Sequence, residues 1–182
     1  MVPFRFRLSQ LPCFVVVADI AAATLSFLVI LAATADMLSR SIPDKLTLLM
    51  TASFFPFAWA SGMPLADLLI HFGVGIGLLV VAIIVFSLGL FGGGDGKLIA
   101  AAGLWIGPSG MADLLLGTAV TGGVLSLAFL VFAVPAWLFS QSKEGPASQR
   151  ALPKVKVPYG YAIAVGTLLA LPASWWSSSF PS

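Results

Sequence analysis

Two carboxylates in this chain stand where they could do chemistry together. Asp36 closes the first long apolar run, and Asp95 sits within Gly92-Gly93-Gly94-Asp95-Gly96-Lys97 at the head of a later one. An ionisable side chain at membrane depth is costly and is a candidate functional group by default. Between the two acids lie one loop, two apolar runs and the turn back, and an even number of crossings returns a chain to the face it left. Both carboxylates therefore meet the membrane on the same side. Two carboxylates at close range share one proton and titrate as a unit. In that state one activates water as a base while the other polarises a carbonyl. The glycines around Asp95 leave no side chain to keep a substrate strand or water away.

The other reactive residues form no rival set. Cys13 is the only cysteine and His71 the only histidine, which excludes a disulfide scaffold and a Cys/His zinc site. No Ser-His-Asp or Cys-His arrangement shares a face, because His71 falls on the side opposite the two acids. No metal and no cofactor is expected. Asp67 and Asp113 follow the short turns at Gly62 and Gly110, where an acid suits the positive end of a helix dipole. Asp44 follows Pro43 at a position expected to cap a helix. Asp19, within the first apolar run, is expected to pair with a polar neighbour. The Gly run fails as a phosphate loop, since Phe91 stands where the first Gly should be and Leu98 replaces Ser/Thr. Taken alone, that run also reads as a simple helix-breaking hinge.

The elements that must position the two acids are membrane helices. The chain has 182 residues, 59% of them hydrophobic and 9% charged, with a mean hydropathy of +1.06. Soluble domains run at about 45–50% apolar and about 25% charged. At ~20 residues per span, about six spans consume the chain and leave no room for a separate soluble domain. The expectation is an all-α membrane protein, a single polytopic domain over 1–182. Apolar runs fall at about 12–35, 46–61, 66–91, 96–107, 112–139 and 157–175. The fourth is short: ten residues before Pro108 reach only ~15 Å of a ~30 Å hydrocarbon core.

The distribution of Lys and Arg sets the expected orientation. Arg40, Lys45, Lys97, Lys143, Arg150, Lys154 and Lys156 lie on one side, and Arg5 and Arg7 on the other. This asymmetry places the loops carrying the acids in the cytoplasm and both termini outside, with Trp175 and Trp176 at the outer interface. The basic stretch at about 140–156, with Gly145, Pro146 and Pro153, reads as a cytoplasmic linker. It is either a solvated loop or a segment that touches anionic headgroups.

Three segments resemble one known family. They are Asp36-Met37-Leu38-Ser39-Arg40-Ser41-Ile42-Pro43, then Gly92 to Leu98 running into Gly103-Leu104-Trp105-Ile106-Gly107, then Val157-Pro158-Tyr159-Gly160-Tyr161-Ala162-Ile163-Ala164. In this order they resemble the type IV prepilin peptidases, intramembrane aspartic proteases of the Gly-x-Gly-Asp class. The likeness is to the short form associated with tight-adherence (Flp) pili. The resemblance implies cleavage of a prepilin leader at the cytoplasmic face of the inner membrane, usually just after a glycine. Asp36 and Asp95 would be the catalytic pair, and Gly92, Gly94, Lys97, Ile42 and Pro43 would shape the site or bind substrate. Expected partners are the prepilin, with its leader and apolar segment, the lipid bilayer and a pilus assembly system, and not nucleic acid. Asp44 stands where relatives often have Asn. Longer relatives carry a cytoplasmic domain with paired Cys-x-x-Cys motifs, which one cysteine cannot supply, so their N-methylation activity is in doubt here. Alternatives are another Gly-x-Gly-Asp protease, of the preflagellin or signal-peptide peptidase type, or a non-enzymatic transporter or assembly subunit.

Overall fold

A helix fills each interval between the Gly- and Pro-containing breaks. The structure, a computed structural model, describes residues 12–89, 92–141 and 159–174. Among these residues six α-helices run in the order α1 (Pro12–Ser39), α2 (Asp44–Ala60), α3 (Leu65–Ser87), α4 (Gly93–Ile106), α5 (Met111–Gln141) and α6 (Tyr159–Ala170), and a 3₁₀ turn follows at Leu171–Ala173. There is no strand among the described residues. The expected helix ends hold to within a few residues.

Local chemistry explains the stops near the two acids. α1 ends one turn past Asp36. Arg40 takes a left-handed backbone, φ 52°, and its N–H donates to the Asp36 carbonyl at 2.7 Å. Ile42 precedes a proline, which pushes it out of helical backbone. Pro43 (φ −62°, ψ 129°) then caps α2, and its missing N–H is no loss there. α4 ends at Gly107, φ 72°. A β-carbon at that position would run into the His71 ring, so glycine is required on two counts.

α4 is the axis of the fold. It packs against α1, α2, α3, α5 and α6, and every residue from Leu98 to Ile106 is buried. A helix that is apolar on all sides belongs inside protein. Its length, ~21 Å at 1.5 Å per residue, therefore need not match the bilayer, because neighbouring helices cover its flanks. Close approach comes from small residues. A β-carbon on Gly96 would stand 2.9 Å from Cβ of Ala82, and one on Gly103 would strike Leu78. On the other flank the Trp105 Nε1–H donates to the Met50 carbonyl at 2.7 Å. Phe54 meets the Trp105 ring edge-on, with centroids 5.8 Å apart. These contacts lock α2 and α3 onto α4 and set the direction in which α4 presents its first turn.

The outer faces are apolar. Phe27, Ile30, Leu69, Ile76, Val80, Ile84, Leu116, Val120, Leu127 and Phe132 are all exposed. So large an unpartnered apolar surface suits lipid and not water. Within α1, α3 and α5, the stretches Val15–Ser39, Leu65–Ser87 and Met111–Phe132 are long and apolar enough to cross a membrane. The chain is a helical membrane protein. The expectation of about six spans holds as a count of helices, but among the described residues three reach the ~20 residues that a crossing needs. α2, α4 and α6 have 17, 14 and 12 residues. The basic stretch from 142 to 156, Arg5 and Arg7, and the Trp175-Trp176 pair lie outside the described residues.

Candidate active site

Asp36 lies on the last turn of α1 and is 6% exposed. Its Oδ2 accepts the backbone N–H of Gly160, at the start of α6, at 2.9 Å. The carboxylate lies directly against that backbone. A β-carbon on Gly160 would stand 2.9 Å from Cβ and Oδ2 of Asp36 and 3.1 Å from Cγ, where carbon atoms ordinarily keep ~3.5–4.0 Å.

Asp95 is half-buried in the first turn of α4, third in the helix after the capping Gly92. Its carboxylate folds back over the cap, so that a β-carbon on Gly92 would stand 2.5 Å from Oδ2. An acid at this position also faces the positive end of the helix dipole. Gly94 serves a second purpose: Ile42 is buried against it, its Cβ 3.4 Å from where a β-carbon would be. The turn that leaves Asp36 thus lands beside Asp95. α1 and α4 also pack against one another directly. Among the described residues the Asp36 carboxylate takes its hydrogen bond from Gly160, and no hydrogen bond joins it to Asp95.

Lys97 and Pro43 sit close by with different partners. Lys97 Nζ donates to Asp44 Oδ1 at 2.7 Å. Asp44 is the first residue of α2 and not its cap, since Pro43 holds the cap position and makes no side-chain cap bond. The expected capping role for Asp44 is therefore replaced by an ion pair across to α4. That pair stands at one end of a groove of about 490 Å³ between α2, α3 and α4, lined further along by Leu48, Thr51, Phe72, Ile76, Leu79 and Leu104. At about 100° per residue, Lys97 and Leu104 face roughly opposite to Asp95 on α4. This groove is thus not the place where Asp36 and Asp95 lie.

The remaining acids and His71 are apart from this cluster. Asp67 and Asp113 occupy the first turns of α3 and α5, where the dipole reading put them. His71 is buried, its Nδ1 2.8 Å from the Leu104 carbonyl and its ring stacked on Phe54, a structural role. Asp19 is exposed on α1, and the expected polar partner is not found among the described residues. No three His, Cys, Asp or Glu side chains are grouped to hold a metal among the described residues. Gly160 escaped the sequence reading as a site residue. Its only local signal was Pro158-Tyr159-Gly160 opening the last apolar run.

A family model described as the type IV leader peptidase family matches residues 22–127, more than half of the chain. The chain belongs to the type IV leader peptidase family. This leader peptidase match runs from α1 into α5 and contains Asp36, Ile42, Pro43 and the whole of Gly92 to Lys97. It ends before α6, so the Gly160 contact comes from the part of the peptidase outside the matched region. No curated protein and no solved structure matches the chain.

Proposed function

We propose that this peptidase is an intramembrane aspartic endopeptidase that removes the leader from type IV prepilins of the Flp kind. It would act at the cytoplasmic face of the inner membrane, as a single multi-pass domain serving a pilus assembly system. The observation that carries the reading is the treatment of the two acids. Each occupies space that a glycine leaves open, Gly160 for Asp36 and Gly92 for Asp95, and they stand at the ends of two helices that touch. Membership in a leader peptidase family supplies the class of substrate.

In the proposed reaction the pair holds one proton. The ionised carboxylate takes a proton from water as its oxygen attacks the scissile carbonyl carbon, and the protonated partner donates to the carbonyl oxygen. Collapse of the tetrahedral diol breaks the C–N bond as a proton passes to the leaving nitrogen, and the pair again holds one proton. A water between the two carboxylates would join them without direct contact. A substrate helix satisfies its own backbone hydrogen bonds, so it must unwind before attack. Gly92, Gly94 and Ile42 shape the space in which an unwound strand would lie, and Pro43 fixes the turn that carries Ile42. Lys97 acts by holding Asp44 and α2 at the rim.

The test is cleavage of a prepilin by the purified protein in detergent with no other component. Cleavage should survive strong chelators and reagents directed at serine and thiol groups. Loss of activity on chelation, restored by a divalent metal, would mean that the acids are metal ligands and not a dyad.

A further inference from the structure

α6 is pinned from two sides at the point where it meets Asp36. Against α1, Ala164 and Leu168 pack with Val29 and Ala33, one and two turns before the acid. Against α5 the helices touch backbone to backbone. A β-carbon on Gly117 would stand 2.9 Å from Cα of Gly166, and one on Gly166 would stand 2.6 Å from the Leu114 carbonyl oxygen. Small residues permit this approach between membrane helices. At the start of α6 the Tyr159 ring covers Gly122, 3.3 Å from where a β-carbon would be. Its hydroxyl lies 3.2 Å from Oγ of Ser126. The next residue along is Gly160, whose N–H reaches Asp36.

We infer that Gly160 is a positioning residue for Asp36, and that Tyr159 and Ser126 brace the turn that carries its N–H. A carboxylate turns freely about its last bond, in a broad two-fold well. A fixed N–H on Oδ2 removes that freedom. With Oδ2 held, Oδ1 is the oxygen we assign to exchange a proton with water. Glycine at 160 is needed because any β-carbon there would displace the acid, at a site where a misplacement of ~1 Å costs on the order of 100-fold in rate. The inference rests on the proposed role of Asp36 in the dyad.

The experiment uses the full chain in detergent with a prepilin substrate, and Asp36→Asn and Asp95→Asn as controls. Gly160→Ala is expected to lower kcat on the order of 100-fold while KM moves by less than about twofold. Tyr159→Phe and Ser126→Ala should each lower kcat about two- to tenfold, the share of one hydrogen bond, and the double variant should be no worse than either single. A purely structural role would lower yield and melting temperature but leave kcat per folded molecule unchanged, and that result overturns the inference. Should Gly160→Ala fail to fold, the two brace variants decide, and wild-type kcat in both overturns it. Normal cleavage by Asp36→Asn would instead overturn the dyad reading, and this inference with it.

Discussion

Asp36 and Asp95 are held in opposite ways. Asp36 is buried on the inside of α1, its Cβ and carboxylate against the backbone of another helix, and its hydrogen bond comes from Gly160, 124 positions along the chain. Asp95 is half-buried in the first turn of its own helix and rests on Gly92, only three residues away. One acid is rooted in packing against another helix, and the other lies over its own helix cap. The two glycines that make room for them therefore guard different things. At Gly160 an added carbon meets the rooted Cβ of Asp36, which cannot step aside without moving α1. At Gly92 it meets the carboxyl end of a side chain and no backbone. The two acids are thus seated by different means, one across helices and one over its own helix cap.

Substitutions sharpen or break this contrast. Among changes that keep both carboxylates, Gly92→Ala stands with Gly160→Ala at the top. It should cut cleavage on the order of 100-fold by displacing the Asp95 carboxylate, yet shift stability by under ~0.5 kcal/mol, since the backbone there (φ −79°, ψ 139°) suits any residue. Gly160→Ala should cost about 1–3 kcal/mol of stability as well, the usual penalty for overpacking. Melting curves of the two variants side by side check this, and equal losses would end the contrast. Gly94→Val should give a smaller loss of activity by pressing on Ile42, whereas Gly94→Ala should be nearly silent, because 3.4 Å is an ordinary contact. An assay in which the two behave alike would show that Ile42 does not fill that space. His71→Ala should lower stability by about 1–3 kcal/mol through the unpaired Leu104 carbonyl, leaving kcat per folded molecule unchanged. The smallest effect belongs to Asp44→Asn and Lys97→Gln. This pair is 75% and 49% exposed, so either change should move stability by at most ~0.5 kcal/mol, and thermal denaturation is the check.

The same contrast explains what the sequence makes legible. Helix positions follow from apolar runs broken by Gly and Pro, and those signals are local. The cluster Gly92 to Lys97 marks Asp95 because its whole setting is contiguous. Even there the sequence misleads slightly, since Gly93 and Gly94 read as turn but form the first turn of α4. Burial of the rest of α4, from Leu98 to Ile106, supplies what their low helix propensity withholds. Asp36 is marked only as an acid at the end of an apolar run. Its partner at Gly160 is invisible, because nothing in either segment states that α6 returns to α1. The Asp44–Lys97 pair is hidden for the same reason: a cap is a local expectation, and an ion pair across 53 positions is not.

The central claim is that Asp36 and Asp95 work as one unit. The most direct measurement is single-turnover cleavage of a prepilin by the purified Asp36→Asn and Asp95→Asn proteins, each confirmed to be folded by its melting curve. Asparagine keeps the volume of the side chain but can neither take a proton from water nor donate one as an acid. The account predicts that each substitution alone abolishes cleavage, and that the double variant is no worse than either single. Processing by the Asp95→Asn protein at near wild-type rate would contradict it.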